Sequence, residues 1–311
     1  MDLYDMKVEV KQHIFDNFCE KNGYKVIECR SCGFWHVFPA PEAEDLEKYY
    51  QELYYQNIDK HGDMKDKNED PDGYYRMKYS DKYTNLTRLL SEGDEKSILD
   101  LGAGFGDFLF FMKEKGWKVC GREPSAFCIE QSRHKDCNIS IGGLEGIKSA
   151  DFGNPSVITL NTVLEHYPYP EELLLDVKDS LMDDRTILHI EVPNDFSFLQ
   201  ESVGAVCNPE KYWVCPPEHL NYWTHESLVA FVTRLGFKVE HIESTFPLEL
   251  LALLGDDYIS FPEKGRDIHL KRVAFEKKFD DAGNSDIKLQ LFQRFAELGF
   301  GREVLIYLRK D

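Results

Sequence analysis

Residues 96–107, KSILDLGAGFGD, constrain the fold of this chain more than any other stretch. Apolar residues typical of a buried strand lead into a turn with Gly102, Gly104 and Gly106, and Asp107 then opens a helix. Glycine has no Cβ, so this turn is tight and lets a ligand lie against the backbone. A strand, a glycine turn and a helix in this order predict an α/β sheet with a ligand at its carboxyl edge.

The charge of the turn restricts the ligand. A dinucleotide fingerprint would have its third glycine at position 107, where this chain has Asp107. An aspartate at a helix N-terminus would repel a pyrophosphate. Together with Asp100 it predicts an anionic mouth, which favours a cationic ligand. S-adenosylmethionine has a sulfonium, an ammonium and no phosphate, and it fits this polarity.

The string LDLGAGFGDFL resembles the first motif of the Rossmann-like, class I S-adenosylmethionine-dependent methyltransferases. The resemblance implies an α/β, doubly wound, mostly parallel seven-stranded sheet whose last strand runs antiparallel. The alternative is a glycine-rich turn in some other α/β protein. By resemblance, the cofactor contacts are Asp100, Gly102, Ala103, Gly104, Gly106, Glu123, Pro124, Leu144, Asn161 and Thr162.

Glu123 ends the next predicted strand, WKVCGREPS over 117–125. An acidic side chain at the tip of the second strand accepts the protons of both ribose hydroxyls in dinucleotide folds, which the methyltransferases resemble here. We therefore expect a ribose contact; the alternative is a surface carboxylate before a turn proline. In the loop 142–147, Leu144 and Glu145 are expected beside the adenine.

The segment 156–170, SVITLNTVLEHYPYP, resembles the methyltransferase motif LEHxxDP at the end of the fourth strand. Ligands bind outside the carboxyl ends of parallel strands, so 161–166 should face the reacting methyl group. His166 is able to accept a hydroxyl proton near neutral pH. Its alternative role is to cap or position the next helix. Quinone O-methyltransferases hold a divalent ion here through Glu-x-x-Glu-His, but Thr162 replaces the first glutamate.

The fifth strand, TILHIEVPN over 186–194, precedes an insertion that contains PPEHLNYWT. That string resembles the signature P-x-H-x-x-x-[FWY]-[ST], in which the histidine faces the substrate cavity. His219 is thus a second candidate base. The aromatic residues of the insertion either line the site or form a small core of their own. The expected substrate contacts are Glu165, Tyr167, Asn194, Tyr222 and Trp223.

The N-terminal segment has Cys29 and Cys32 in C-x-x-C spacing, which suits a zinc knuckle. Residues 24–50 resemble the zinc-ribbon-like N-terminus of bacterial methyltransferases of surface-sugar and natural-product pathways. The other pair is Asp16 and Cys19, so the first cysteine of that pattern is aspartate, and His13 and His36 lie nearby. The expectation is a structural zinc at Asp16, Cys19, Cys29 and Cys32, or at the three cysteines with a histidine as the fourth ligand; the alternative is a ribbon that has lost its metal.

Three regions are expected: a ribbon-like segment over 1–55, a helical lid or linker over 56–95, and a cofactor-binding domain over 96–311 with a helical insert at 247–299. Helices are predicted over 41–56 and 74–93. Tyr74, Tyr75, Arg76 and Tyr79 are cofactor or substrate candidates, or simple packing residues. In the insert, the basic residues either meet an anionic group or form a solvated face; they are Arg266, His269 and Arg272.

The composition limits the classes of partner that we expect this chain to bind. Among 311 residues the net charge is −19, so no basic stripe is available for a nucleic-acid backbone. No signal-peptide pattern and no membrane-spanning apolar run occur, and the eight cysteines lack the spacing of a disulfide framework. We expect a cytoplasmic enzyme with a small-molecule acceptor and no membrane partner, with the insert available for a homodimer contact.

The combined motifs predict an S-adenosylmethionine-dependent methyltransferase. By analogy with relatives that share the N-terminal segment, the preferred acceptor is a sugar hydroxyl, on a nucleotide or a surface-polysaccharide precursor. Phenols, quinones, amines and phosphorus-linked oxygens are alternatives, as is an inactive cofactor-binding partner subunit.

Overall fold

The computed structural model describes residues 12–42, 46, 49, 70–144, 146–207 and 210–311. Most of the helix predicted over 41–56, and the loop residue Glu145, lie outside the described residues. Within them the chain forms a seven-stranded sheet flanked by helices and a four-stranded sheet at one side.

The strands of the described residues are β1 Phe15–Lys21, β2 Tyr24–Cys29, β3 Phe34–Val37, β4 Ser97–Leu101, β5 Lys118–Glu123, β6 Asn138–Ile141, β7 Val157–Asn161, β8 Ile187–Pro193, β9 Asn221–Tyr222, β10 Phe237–Ser244 and β11 Glu303–Lys310.

The helices are α1 Tyr74–Leu89, α2 Asp107–Glu114, α3 Ala126–Ser132, α4 Ser149–Phe152, α5 Pro170–Leu181, α6 Phe198–Val206, α7 His225–Arg234, α8 Leu248–Leu253, α9 Gly265–Asp281 and α10 Ser285–Glu297. A short 3-10 turn, Leu164–His166, follows β7. None of the helices in the described part of the chain is long and apolar enough to cross a membrane.

The large sheet has the strand order β10-β11-β8-β7-β4-β5-β6. Strands β4 to β8 pair in parallel, whereas β11 runs antiparallel to both of its neighbours. This confirms the predicted α/β sheet with an antiparallel last strand. The chain leaves β4 in one direction and returns through β7 on the other side, so the carboxyl ends of β4 and β7 form the switch point at which open α/β sheets bind ligands.

The central strands are buried on both faces. In β4, Ile98 and Leu99 are fully buried on opposite sides of the sheet, and each belongs to a different hydrophobic cluster. Helices cover both faces of a parallel sheet, which explains the near-continuous apolar runs of β4 and β7. The rigid sheet fixes the positions of the loops at its carboxyl edge.

The small sheet combines strands from two of the regions that the sequence predicts to be separate. Its order is β1-β2-β3-β9, all antiparallel. Strand β9 comes from the insertion after β8, and its Tyr222 pairs with Trp35 of β3. Behind this pairing, the rings of Phe34 and Trp223 lie 5.0 Å apart in the main core. The N-terminal segment is therefore built into the fold of the rest of the chain.

The predicted insert is helical, as α8, α9 and α10. Its basic side chains make contacts within the chain: Arg266 and His269 approach the Asp72 carboxylate at 3.0 and 3.1 Å. The Arg272 guanidinium lies 4.1 Å from the centre of the Tyr74 ring. These contacts attach α9 to the start of α1.

Candidate functional site

The glycine turn after β4 adopts backbone conformations that only glycine takes readily. Gly102, Gly104 and Gly106 have φ values of 79°, 54° and 71°. A Cβ on Gly102 would lie 2.5 Å from Val163, and one on Gly106 would lie 2.8 Å from Ile139. A Cβ on Gly104 would meet no atom within 4 Å. The turn is thus packed on two sides and open at its middle glycine.

Glu123 lies directly against this turn. Its carboxylate accepts hydrogen bonds from the backbone N–H of Gly104 at 2.8 Å and of Ser125 at 2.9 Å. The residue is buried at the end of β5. A carboxylate held in this way has a fixed orientation beside the open face of the turn, as a ribose contact requires.

Asp100 is buried at the end of β4. It accepts hydrogen bonds from Thr159 Oγ1 at 2.6 Å and from Asn161 Nδ2 at 2.9 Å. Burial raises its pKa to about 6, against the opposing effect of these hydrogen bonds. Asp107 has a direct counter-ion, because Lys135 Nζ lies 2.9 Å from its carboxylate. The anionic mouth expected from the sequence is therefore partly neutralised.

A buried ionic network under α1 was missed by sequence reasoning. Lys82 Nζ donates to Asn161 Oδ1 and to Glu191 at 2.7 Å, and Lys78 Nζ donates to Glu191 at 2.6 Å and to Glu303 at 2.7 Å. The two lysines hold the pKa of Glu191 well below its usual range despite its burial. The sequence shows the two lysines four residues apart on α1, and this spacing places them on one helix face. It does not show that Glu191 is their partner.

The other expected cofactor residues surround the same turn in different ways. Ala103 and Leu144 are buried, whereas Pro124 is exposed. Thr162 has a positive φ of 52°, which is uncommon for a residue with a Cβ, and its N–H donates to Glu191 O at 2.9 Å. This bond fixes the path of the chain between Asn161 and the 3-10 turn.

The two candidate bases are brought together. The rings of His166 and His219 have centroids 4.9 Å apart, and Glu165 lies beside them. His166 Nδ1 is 2.6 Å from the carbonyl oxygen of Glu218, so the N–H is assigned to Nδ1 and the lone pair to Nε2. The turn that carries His166 begins at Val163, which packs over Gly102. Val163 therefore connects the glycine turn to the segment that carries His166.

The pKa of His219 lies well below its ordinary value because burial disfavours the charged ring, with further lowering from His166 and Arg302. Its Nδ1 is buried and has no hydrogen-bond partner among the described residues. His219, which is half-buried, is thus neutral at physiological pH.

The expected substrate contacts divide into two groups. Glu165 is buried beside the histidines, and the Tyr167 carbonyl accepts from Asn221 at 2.7 Å. Asn194 is buried and donates to the Gly299 and Gly301 carbonyls, so it anchors the end of β8.

The aromatic residues Tyr222 and Trp223 of the insertion pack in the interior of the protein and do not line the site. Trp223 is fully buried against Phe34 and Phe231, and Tyr222 is 1% exposed, with its hydroxyl donating to His219 O at 2.8 Å. Trp223 does not make the substrate contact expected from the sequence, because its ring is enclosed on all sides. Tyr222 instead holds the backbone of His219.

The sequence over residues 74–242 matches the family described as a methyltransferase domain. The chain belongs to this methyltransferase family. It is an S-adenosylmethionine-dependent methyltransferase, and its family domain extends from the start of α1 into β10.

Several known proteins are similar to this methyltransferase. An uncharacterized methyltransferase of Staphylococcus carnosus is 25% identical over 174 residues, covering 53% of this chain and 83% of the relative. Among solved structures, the plantazolicin methyltransferase BpumL in complex with SAH aligns with a TM-score of 0.50 and 16% identity, covering 86% of this chain and 93% of that one. A SAM-dependent methyltransferase from Archaeoglobus fulgidus aligns with a TM-score of 0.48 and 20% identity, covering 76% of this chain and 97% of that one. The likeness to BpumL shows the fold.

The α1 residues expected to contact ligands mainly pack within the methyltransferase. Tyr74 is buried against Arg272, and Tyr79 packs 5.3 Å from the Phe108 ring. Arg76 makes an exposed ion pair with Glu114 at 3.1 Å. Tyr75 lies beside Tyr74, with ring centroids 5.3 Å apart. Helix α1 thus acts on the site mainly through Lys78 and Lys82.

The four expected zinc ligands of the methyltransferase do not meet. Asp16 is paired with Arg30, and Cys19 lies in β1 opposite Val26. Cys29 and Cys32 do lie together, in a group with both nearby histidines.

Proposed function

We propose that this methyltransferase transfers the methyl group to a hydroxyl of a sugar or nucleotide-linked sugar, with His166 as the base and His219 as its neighbour. The observation that carries the proposal is the pair of histidines, with ring centroids 4.9 Å apart; His166 lies on the turn that follows Val163, which packs against Gly102. A hydroxyl acceptor must lose its proton, and a positioned imidazole is the side chain suited to take it near neutral pH.

The residues around the turn fit the proposed cofactor. S-adenosylmethionine supplies a methyl group on a positively charged sulfur. The open face of Gly104 leaves room for a nucleoside against the backbone, and Glu123 offers a fixed carboxylate to the ribose hydroxyls. Asp100 and Asn161, joined at 2.9 Å, lie at the ends of β4 and β7, where the amino-acid end of the cofactor would lie.

His166 is oriented to act as the base. Its Nδ1–H donates to the Glu218 carbonyl, which leaves Nε2 to accept the hydroxyl proton. Glu165 Oε1 lies 3.8 Å from that Nε2, so a carboxylate would stabilise the imidazolium once it forms. His219 remains neutral in its half-buried position and contributes a second imidazole nitrogen for the acceptor. The role of the protein is to align the acceptor and remove its proton.

The sugar part of the proposal is supported by the N-terminal segment. Residues 24–50 resemble the segment that precedes surface-sugar methyltransferases. Polar side chains near the histidines, the buried Glu165 and the half-buried Arg302, also suit an acceptor with several hydroxyls. Nucleotide-linked sugars are cytoplasmic metabolites, and we propose the same location for the enzyme.

A second candidate is metal-assisted methylation of a phenol or quinol. Glu165, His166 and His219 each offer a ligand atom, and these atoms lie within 4.8 Å of one another. A divalent ion there would lower the pKa of a bound hydroxyl and replace the base. This candidate predicts that activity requires Mg²⁺ or a similar ion.

The test uses S-adenosylmethionine labelled with tritium in its methyl group. Nucleotide-linked hexoses, a free hexose, a catechol, a primary amine and a phosphonate are each incubated with enzyme, with EDTA or with Mg²⁺. We expect label in a hexose, unaffected by EDTA. Label only in the catechol, abolished by EDTA, would favour the metal-assisted reaction. No transfer to any acceptor, together with tight binding of S-adenosylhomocysteine, would favour an inactive partner subunit.

A further inference from the structure

Four metal-ligating side chains meet at one end of the small sheet. Ligand atoms of His13, Cys29, Cys32 and His36 all lie within 4.8 Å of one another. His13 Nδ1 is 3.4 Å from Cys29 Sγ and 3.7 Å from Cys32 Sγ. Two thiols and two imidazoles form one of the standard tetrahedral donor sets for Zn²⁺.

The surroundings of these side chains are those of metal ligands. His36 is buried, and its Nδ1 lies 2.8 Å from the Val37 carbonyl, which leaves its Nε2 as the nitrogen with a lone pair. That Nε2 is buried with no hydrogen-bond partner in the described part of the chain. The Cys32 N–H points at Cys29 Sγ at 3.4 Å, a bond that stabilises a thiolate. Such outer contacts orient ligands for a metal.

We propose that Zn²⁺ is bound by His13, Cys29, Cys32 and His36. This set shares only the two cysteines with the expectation from the sequence. Asp16 is paired with Arg30 instead, and Cys19 joins the apolar cluster of the small sheet. The two histidines replace the missing cysteine pair, one from the chain before β1 and one from β3.

The proposed site is connected to the His166 turn through the backbone. His36 of β3 pairs with Asn221 of β9. The Asn221 side-chain amide donates to the carbonyls of Leu164 at 3.2 Å and Tyr167 at 2.7 Å. The Leu220 N–H donates to the Glu165 carbonyl at 2.7 Å. We infer that the metal fixes β3 and thereby holds the two segments that carry the candidate bases. His36 is then a positioning residue.

The first test measures metal content and needs no acceptor, so it is independent of the proposed reaction. Full-length protein purified without chelators should hold about one zinc per chain by elemental analysis. Cys29→Ser and His36→Gln should lose it, whereas Cys19→Ser and Asp16→Asn should keep it. Cobalt substitution should give the visible spectrum of a tetrahedral site with thiolate ligands. Folded wild-type protein without zinc or a cobalt spectrum would overturn the site, as would a disulfide between the two cysteines.

The second test measures the connection. Zinc is removed from wild-type protein with dipicolinate, and amide hydrogen exchange is followed by mass spectrometry. Peptides covering 162–168 and 218–224 should exchange about tenfold faster or more, while those of β5 and β6 stay unchanged. Unchanged exchange in the first two peptides would refute the positioning role. Retained zinc in His36→Gln, with loss in Asp16→Asn, would refute the ligand set.

Discussion

His166 and His219 meet edge to face, with ring planes inclined by 78° and centroids 4.9 Å apart. The two residues are far apart in sequence, and β9 brings them together. Their arrangement places two imidazoles of different character in one site: His166 is 22% exposed at its side chain and hydrogen-bonded, while His219 has its pKa held low by burial.

Replacing His166 with alanine should lower turnover about 10²- to 10⁴-fold, because general base catalysis contributes that much. His219→Ala should also lower turnover, since it removes the neighbouring imidazole. The affinity for S-adenosylhomocysteine, measured by calorimetry, should not change. His134→Ala, at an exposed position beyond α3, is the matched control. Full turnover by both site variants would exclude the histidines as bases.

Replacing Glu123 with glutamine should weaken binding of S-adenosylhomocysteine about 10- to 100-fold, because a charge-assisted hydrogen bond contributes about 1.5–3 kcal/mol. Calorimetric titration measures the change. Glu92→Gln, at an exposed position in the loop before β4, should bind as the wild type does. Equal affinity of the Glu123 variant would show that the ribose lies elsewhere.

The glycine turn permits a contrast between folding and binding. Gly104→Ala should cost only about 1–2 kcal/mol of unfolding free energy, the cost of a left-handed residue with a Cβ, since nothing lies within 4 Å. Its affinity for S-adenosylhomocysteine should fall about tenfold or more, as the methyl group occupies the open face. Gly102→Ala meets Val163 as well and should cost about 2–5 kcal/mol. Urea unfolding and calorimetry separate the effects; wild-type affinity in Gly104→Ala would contradict this prediction.

Asp195 should make stability depend on pH. Burial raises its pKa from the usual 3.8 to about 7, opposed by a hydrogen bond from Gln200 and by Arg302. A raised pKa means that the folded state holds the proton more tightly, so this group lowers the free energy of unfolding as pH rises from about 4 to about 7. Asp195→Asn stays neutral. In urea unfolding, the free energy of unfolding of the variant should rise relative to that of the wild type between pH 5 and 8. A constant difference between the two would contradict the raised pKa of Asp195.

Much of the large sheet was predictable because its determinants are local. The glycine turn requires positive φ at three positions, which a short string of sequence specifies. The apolar runs of β4 and β7 are long enough to require burial on both faces, and Glu123 ends its strand as expected. These features depend on residues close together in the chain.

The parts that the sequence did not reveal depend on contacts between distant segments. Strand β9 has only two residues, too few for any periodic pattern, and it forms because β3 lies beside it. The Lys82–Glu191 ion pair joins α1 to β8, more than a hundred residues on. Trp223 was expected in the site because aromatic residues line sugar sites, but the Phe34 ring covers it. The spacing of cysteines indicated a metal knuckle, and His13 and His36 were visible beside it, but the sequence did not show which of these side chains come together.

The pairing of β9 with β3 limits how this enzyme can be divided into exchangeable parts. Because the small sheet takes its fourth strand from the middle of the chain, the N-terminal segment cannot be exchanged as a cassette between relatives. A chimaera that imports a foreign segment 12–42 without its own β9 would lose the native contact of Phe34 with Trp223 and the pairing of β3 with β9. The 216–224 signature and the N-terminal segment therefore form one structural unit.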